Sequence, residues 1–251
     1  MWIPEAVTRV VYVGQTGILR YPHIVYYLDM CGRFYLDVSK TELMAHYALQ
    51  STPDASPRFN IAPSQDILAV RAINSNERNL AYLHWGLIPS WSKEEKPHYS
   101  MINARAETVA SKPAFRTAFK HRRCLIPVSG FYEWQPQEHF KQPYAINLKD
   151  DGLFSLAGLW EHWESADGKV IESCAIVVTD ANEVLKPIHE RMPVIISPED
   201  YSTWLDPDIQ DKDVLTPLLH PYSAQLMKSY PVSPRINNPG YDQPNCLRPI
   251  R

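Results

Sequence analysis

The stretch CLIPVSGFYEWQ, residues 124–135, decides the fold class because it predicts two strands in close succession. Apolar, β-branched and aromatic residues fill 124–128 and 131–135, and a Ser-Gly pair separates the two runs. Further strands are predicted at 66–73, 79–85, 144–148, 154–163, 174–179 and 193–197. So many short strands predict a fold organised around a sheet.

Short helices are predicted between these strands. Ser39 and Glu42 form a capping-box pattern at the start of a helix over Ser39–Gln50. Helices are also predicted at 113–121 and 182–189, with a further helix start at 197–200. Because helices and strands do not alternate as in βαβ units, the pattern predicts one α+β domain around a curled sheet, ending in an irregular tail after residue 232.

Composition excludes several classes of protein. Of the 251 residues 45% are hydrophobic, enough for a real core, and the net charge of −3 means that any basic patch is local. The chain has no apolar run of membrane-span length and no GxSxG, GxxxxGKS/T, GxGxxG or HExxH motif. Membrane insertion and the ordinary serine hydrolase, NTPase, Rossmann and zincin classes therefore lack support.

The cysteines are widely spaced and include no CxxC pair. The four positions are Cys31, Cys124, Cys174 and Cys246. This spacing argues against a zinc site and provides no disulfide framework, so a reducing cytosol is predicted. We expect a cytoplasmic protein without a metal or other cofactor.

The tetrapeptide Met30-Cys31-Gly32-Arg33 is typical of a translation start. Removal of an initiator Met30 would leave Cys31 with a free α-amine beside its thiol. Such a 1,2-aminothiol condenses with an aldehyde to a thiazolidine ring, and an internal cysteine cannot do so. The reference pKa of an α-amine is about 7.7–8.0, against about 10.4 for lysine, so roughly a tenth of it is nucleophilic at neutral pH.

Residues 1–29 lack the basic region, clean apolar stretch and cleavage site of a signal peptide. Two interpretations stay open. The segment is either a natural N-terminal strand or hairpin, or upstream sequence included by a misassigned start. We favour the misassigned start, which predicts an extension at 1–29 and a domain at 30–251.

Residues 103–123 form a basic segment in an otherwise acidic chain. Its cations are Arg105, Lys112, Arg116, Lys120, Arg122 and Arg123, against the single acid Glu107. A phosphate backbone would favour such a local field. A solvated helix face explains Arg116 and Lys120 equally well, whereas Arg105, beside Asn103 in a predicted loop, is a better phosphate clamp.

Glu133 is a carboxylate among aromatic residues. Burial would raise its pKa and make it a proton shuttle near neutrality, whereas an exposed position on an amphipathic strand is the alternative. Trp85, Trp91 and Trp134 are candidate stacking platforms for unpaired bases, or core residues. His189, close to Arg191, is a candidate acid or phosphate contact, or a structural histidine.

Seven ordered motifs resemble the SRAP family, the SOS response-associated peptidase domain, also called abasic-site processing or crosslinking proteins. The motifs are MCGRF at 30–34, RFNIAP at 58–63, WGLIPSW at 85–91, INARAET at 102–108, GFYEW at 130–134, AGLW at 157–160 and HERMP at 189–193. The resemblance runs from Met30 to about Ile250 and leaves residues 1–29 outside.

This resemblance implies a fold and an activity. The fold would be a single domain on a bifurcated, mostly antiparallel sheet curled into a pseudo-barrel with short flanking helices. The protein would bind abasic sites in single-stranded DNA. Cys31 would form a thiazolidine with C1′ of the ring-opened deoxyribose, a lyase-like crosslinking chemistry.

The resemblance also implies roles for individual residues. Asn103 would hold the Cys31 backbone and the sugar, Glu133 would move protons during imine formation and ring closure, and His189 would protonate the sugar ring oxygen. The implied nucleic-acid contacts are Arg33, Asn60, Arg105, Lys112 and Arg191, with Trp91 and Trp134 as wedge or stacking residues.

Two alternative functions stay open from the sequence. One is a cysteine-type peptidase, including autoproteolysis between Met30 and Cys31 at the same site. The other is a non-covalent single-strand binding module. In each DNA-binding case we expect a monomer without membrane association, located with the nucleoid if the host is bacterial.

Overall fold

The computed structural model describes residues 31–74, 77–95 and 101–250. Its strands are β1 Phe34–Leu36, β2 Arg58–Ile61, β3 Asp66–Asn74, β4 Glu77–Trp85, β5 Asn103–Arg105, β6 Arg123–Val128, β7 Gly130–Pro136, β8 Lys141–Leu148, β9 Phe154–Glu164, β10 Val170–Asp180, β11 Arg191–Pro193, β12 Ile195–Ile196 and β13 Met227–Pro231. Its helices are α1 Lys40–Tyr47, α2 Arg116–His121, α3 Tyr201–Leu205 and α4 Lys212–Leu215. The predictions for residues 1–30 lie outside the described residues.

Strands β10, β4, β3, β6 and β9 close on themselves, because β9 also pairs with β10. The β10–β4 pair is parallel, and the other pairs around this barrel are antiparallel. A barrel this small is filled by its own side chains. Gly158 of β9 leaves the space that the Cys124 sulfur occupies, since an added Cβ would lie 2.6 Å from that Sγ atom.

A second, five-stranded sheet has the order β13-β8-β7-β1-β2 and is antiparallel throughout. The stretch at 124–135 joins the two sheets, because β6 belongs to the barrel and β7 to the second sheet. At the junction a Cβ on Gly130 would overlap the ring and hydroxyl of Tyr35 from β1, so glycine there leaves room for that side chain. This division confirms the predicted α+β fold with a bifurcated sheet and a barrel.

The predicted capping box of α1 is confirmed. The Ser39 hydroxyl accepts a hydrogen bond from the Glu42 backbone N–H over 3.2 Å, and the Glu42 carboxylate accepts one from the Ser39 N–H over 2.8 Å. The helix ends at Tyr47, before the predicted Gln50, because Ala48 adopts the left-handed conformation with φ 54°. Leu43 and Tyr47 fix the helix on the core.

The predicted helix over 182–189 is wrong. The Asn182 side-chain oxygen accepts hydrogen bonds from the backbone N–H groups of Val184 and Leu185, both over 3.1 Å. Such local bonds offer the backbone an alternative to a helix, and residues 183–188 form turns instead. The predicted strand at 193–197 is divided into β11 and β12. Among the described residues no helix is long and apolar enough to cross a membrane.

Candidate active site

Cys31 lies immediately before β1, alongside β7. The antiparallel register pairs Phe34 with Phe131, and the Tyr132 N–H donates to the Arg33 carbonyl over 2.9 Å. Continued along the chain, this register sets Gly32 opposite Glu133, and the adjacent Cys31 interacts with the Glu133 side chain. Both side chains are buried, each residue with 3% of its surface exposed, and the thiol donates a hydrogen bond to the carboxylate.

Burial dominates the protonation of this pair. It raises the pKa of the Cys31 thiol well above its usual range, and the neighbouring Glu133 charge raises that pKa further. Burial also raises the pKa of Glu133, while His189 and the thiol hydrogen bond act in the opposite direction. A carboxylate poised to accept a proton therefore lies against a thiol that must lose one to become a nucleophile.

Asn103 reaches the same point from β5. The structure places residues 103–105 in a short strand, parallel to β10, where a loop was predicted. The Asn103 side-chain amide donates to the Cys31 carbonyl oxygen over 3.3 Å. Pairing with the central strand β10 thus fixes an anchor for the backbone of Cys31.

His189 lies at the end of the turns that precede β11. Its Nδ1 atom accepts a hydrogen bond from the Arg191 backbone N–H over 3.0 Å. The same Nδ1 atom lies 3.3 Å from the Arg191 carbonyl oxygen, so whether it accepts or donates depends on the tautomer of the ring. His189 is close enough to Glu133 to lower the pKa of that carboxyl, so the four predicted catalytic residues Cys31, Asn103, Glu133 and His189 are brought together.

Several buried polar atoms of this region have no hydrogen-bond partner among the described residues. They are Glu133 Oε1, Asn103 Oδ1, Arg33 Nε and Arg191 Nε. Buried polar groups without partners are rare in folded proteins and call for an explanation. Here they include two acceptors and two donors from residues at or next to Cys31, as expected of a site that binds a polar ligand.

Arg33 and Asn60 are buried in a polar network with the C-terminal tail. The Asn60 side chain accepts from Arg33 Nη1 over 2.8 Å and donates to three backbone carbonyls at 236, 238 and 241. Arg33 also donates to the Ile236 carbonyl over 2.6 Å. Direct contact of either side chain with DNA would require these bonds to be exchanged, so the geometry favours a supporting role for Asn60.

The three tryptophans differ in exposure. Trp91 is 65% exposed, whereas Trp85 is fully buried and donates from Nε1 to the Ile102 carbonyl over 3.0 Å. Trp134 is half-buried, with Arg33 5.6 Å from its ring centre and its Nε1 bonded to Asn237. Trp91 and Trp134 therefore have ring surface available for stacking, and Trp85 is a core residue.

The basic segment is only partly available to a ligand. Arg105 and Lys112 are exposed, as are Arg116 and Lys120. Arg122 instead makes two 2.8 Å hydrogen bonds to the buried carboxylate of Glu161. Arg123 is 2% exposed and its guanidinium donates to backbone carbonyls of Phe119, Lys120, Trp204, Asp206 and Ile209. Counting charges in the sequence therefore overstated the positive charge that residues 103–123 present to a ligand.

Comparison with known proteins identifies the family. The sequence profile described as SOS response associated peptidase (SRAP) matches residues 30–239. The chain belongs to the SRAP family. The abasic site processing protein YoqW of Bacillus subtilis is 43% identical over 222 residues, which cover 87% of this chain and 99% of YoqW.

Two further comparisons agree with this family. The abasic site processing protein YoaM of Bacillus subtilis is 44% identical over 214 residues, which cover 84% of this chain and 94% of YoaM. A crystal structure of a protein from Bacteroides thetaiotaomicron superposes with a TM-score of 0.80 at 26% identity, covering 88% of this chain and 100% of that protein. The resemblance to SRAP proteins is thus confirmed in sequence and in fold.

Sequence reasoning missed two acidic residues of this SRAP site. Glu107 and Asp180 both form ion pairs with Arg191, at 2.7 and 2.6 Å. Glu107 follows β5 and Asp180 ends β10, so nothing in their spacing along the chain predicts a shared partner. Within the described residues no group of three or more His, Cys, Asp or Glu side chains is arranged to hold a metal ion.

Proposed function

We propose that this protein caps abasic sites in single-stranded DNA covalently, through Cys31 as the N-terminal residue after loss of Met30. The observation on which the proposal depends is the buried Cys31–Glu133 pair, with Asn103 and His189 around it and polar atoms left without partners. The names of the relatives YoqW and YoaM, both abasic site processing proteins, support the same substrate.

The reaction is a condensation. The α-amine of Cys31 adds to the C1′ aldehyde of the ring-opened deoxyribose, and the carbinolamine loses one water to give an imine. The thiol sulfur then adds to the imine carbon, while the proton it loses ends on the ring nitrogen. One C–N bond and one C–S bond form, one water leaves, and no oxidant or reductant is needed.

The side chains divide this chemistry between them. Glu133, whose pKa is raised by burial, gives a proton to the departing hydroxyl and regains one from the carbinolamine nitrogen as the imine forms. It then takes the thiol proton and passes it to the ring nitrogen as the sulfur adds. Asn103 holds the Cys31 backbone through its carbonyl, so that amine and sulfur face the same carbon. His189, held at Nδ1 by the Arg191 backbone, supplies a proton to the sugar ring oxygen as the ring opens.

Exposed cations and aromatic rings supply the DNA contacts. Arg105 and Lys112 are free to meet phosphates, and Trp91 offers a face for stacking an unpaired base. Trp134 is half-buried on β7 and offers a second ring face for stacking a base or sugar. Arg191 remains a proposed contact of the damaged nucleotide.

The proposal requires a free amine on Cys31. The family match begins at residue 30, which supports Met30 as the functional start and residues 1–29 as an extension outside the domain. In the 251-residue chain the same nitrogen is an amide of Met30. The N-terminal residue of protein purified from its native host tests this requirement directly.

The deciding experiment compares two forms of the protein on one substrate. Protein that starts at Cys31, checked by intact mass, is incubated with uracil-containing single-stranded DNA that uracil-DNA glycosylase has converted to abasic DNA. We expect a band that survives denaturing electrophoresis with this form, and no band with the unprocessed 251-residue chain. Cys31→Ala should remove the band. Active, correctly processed protein that forms no band would reject the proposal.

The same experiment separates the two alternative functions. A 251-residue chain that converts itself to a Cys31 terminus without methionine aminopeptidase would favour autoproteolysis. A Cys31→Ala variant that binds and protects abasic DNA as well as the wild type would favour a non-covalent binding module.

A further inference from the structure

Arg191 is held by carboxylates from two separate segments. Asp180 lies opposite Arg191 in the β10–β11 register, and Glu107 follows β5, which pairs with β10. Glu107 meets both terminal guanidinium nitrogens, each over 2.7 Å, and Asp180 meets Nη1 over 2.6 Å. We call Glu107, Asp180 and Arg191 the arginine clamp.

In the part of the chain that the structure describes, the arginine clamp leaves one guanidinium donor without a partner. Arg191 Nε is buried and meets no acceptor among those residues. The guanidinium group is planar and rigid, so fixing its two terminal nitrogens also fixes the direction of the Nε–H bond. A third donor is thus held in a fixed direction for an acceptor that no described residue supplies.

The clamp adjoins the reacting residues. The Arg191 backbone N–H donates to His189 Nδ1 over 3.0 Å, and the positive charge of Arg191 is near enough to lower the pKa of the Cys31 thiol. Any ligand oxygen that meets Arg191 Nε would therefore belong to a group bound at the Cys31 site.

The two carboxylates orient Arg191 as well as pairing with its charge. The side chains of Glu107 and Asp180 are 48% and 77% exposed, where an isolated ion pair contributes about 0–1 kcal/mol and a bidentate network such as this one contributes more. The Arg191 side chain is only 17% exposed. The network therefore holds a partly buried arginine in one orientation, which suits a role in ligand binding.

We infer that Glu107 and Asp180 are positioning residues that orient Arg191 so that its Nε–H meets an oxygen of the damaged nucleotide during crosslinking. This inference rests on the proposed function. A phosphate oxygen and a sugar oxygen offer the same acceptor chemistry, and an abasic analogue with a methylphosphonate in place of the adjacent phosphate distinguishes them. Arg191 would act with its terminal nitrogens still held by the carboxylates.

The experiment measures single-turnover crosslinking by protein that starts at Cys31, over a range of abasic DNA concentrations. The variants are Glu107→Gln, Asp180→Asn and the double variant. Glu164→Gln is the matched control, because it removes the same charge from an exposed residue far from Arg191. Glu164 lies on β9 opposite Val170, at the start of β10, and Asp180 lies ten residues further along β10. Thermal unfolding and affinity for undamaged single-stranded DNA are measured for each.

We expect Glu107→Gln to lower the maximal crosslinking rate about tenfold, because the alignment of Arg191 is lost. Its thermal midpoint and its affinity for undamaged DNA should equal those of Glu164→Gln. The double variant should be slower still, and Glu107→Asp should restore part of the rate. The methylphosphonate substrate should remove the difference between Glu107→Gln and wild type if the acceptor is the phosphate, and preserve it if the acceptor is the sugar.

Two results would overturn the inference and leave the proposed function intact. In one, Glu107→Gln crosslinks at the wild-type rate. In the other, it binds undamaged DNA more tightly than Glu164→Gln and crosslinks faster than wild type, which would make the carboxylates competitors of phosphate. Wild-type protein that forms no crosslink would reject the proposed function and the inference with it.

Discussion

The Asn103 side-chain amide donates a hydrogen bond to the backbone carbonyl of Cys31 over 3.3 Å, and so ties strand β5 to the first residue of the described chain. Asn103 Oδ1, the other end of the same amide, is buried and meets no donor in the described ranges of the chain. One side chain thus anchors the protein backbone and keeps an acceptor free. Removing it should affect the reaction more than the fold.

Asn103→Ala should slow crosslinking at least about tenfold, because the Cys31 backbone loses its anchor. Stability should fall by about 0.5–1.5 kcal/mol, the usual net worth of one hydrogen bond. Gel-based crosslinking rates and denaturant unfolding measure the two effects. A variant with wild-type rate and reduced stability would show that Asn103 is purely structural.

Glu133→Gln should make the protein relatively more stable as pH rises. Burial raises the pKa of Glu133, so the folded state binds this proton more tightly than the unfolded state. Between the unfolded and folded pKa values the wild type therefore loses stability with increasing pH, whereas the neutral glutamine does not. Denaturant unfolding from about pH 5 to about pH 8 measures the difference. A difference that is constant or shrinks with pH would contradict the raised pKa.

Cys31→Ser, in protein that starts at residue 31, keeps the α-amine and removes the sulfur. We expect it to form an imine with abasic DNA that does not close to a thiazolidine. The adduct should be lost on heating but captured by borohydride, whereas the wild-type adduct should need no reductant. An equally heat-stable adduct from the serine variant would show that the sulfur takes no part.

Trp91→Ala and Trp85→Ala form a matched pair, because Trp85 is the last residue of β4 and Trp91 lies in the segment that follows. Trp91→Ala should weaken binding to single-stranded DNA by about 1–3 kcal/mol, the worth of one stacked base, and leave thermal stability unchanged. Trp85→Ala should destabilise the fold by about 3–5 kcal/mol, since the ring is fully buried. Fluorescence titration with oligonucleotides and thermal unfolding separate the effects. Equal DNA affinities for wild type and Trp91→Ala would rule out stacking.

Asn60→Ala tests the network beneath Arg33. The Asn60 side chain makes four hydrogen bonds, so its loss should cost about 2 kcal/mol or more of stability. The half-buried Asn79 of β4 serves as control, with an expected change of about 0.5 kcal/mol or less on substitution by alanine. If Asn60→Ala instead weakened DNA binding at unchanged stability, a direct DNA contact would be supported.

The strands of the barrel could be predicted from sequence, whereas the short strands could not. Strands β3, β4, β6, β9 and β10 are long enough for their apolar residues to form a readable pattern. Strands β1 and β5 have three residues each, too few for any period, and they exist because β7 and β10 offer them partners. The intrinsic strand preference of three residues does not predict such pairing with a distant strand.

Part of the candidate site could likewise be predicted from the sequence and part could not. Cys31, Asn103, Glu133 and His189 could be selected from their motifs, and the fold brings them together. The partners of the arginines could not be selected, because Glu161 and Asp180 are recruited through tertiary packing. Arg123 is an example of the resulting error, because the sequence suggests a phosphate ligand and the fold makes it a buried structural residue.

The bond from Arg33 to the Ile236 carbonyl spans 203 residues and has a consequence for biosynthesis. The segment next to Cys31 cannot reach its final environment until nearly the whole chain has left the ribosome. At about 5–20 residues per second, translation alone leaves the nascent terminus accessible for on the order of ten seconds or more. If synthesis starts at Met30, an aminopeptidase has that interval to act before folding buries the bond it must cut. The late packing of the C-terminal tail against Arg33 would then allow Met30 to be removed before the N-terminal segment folds.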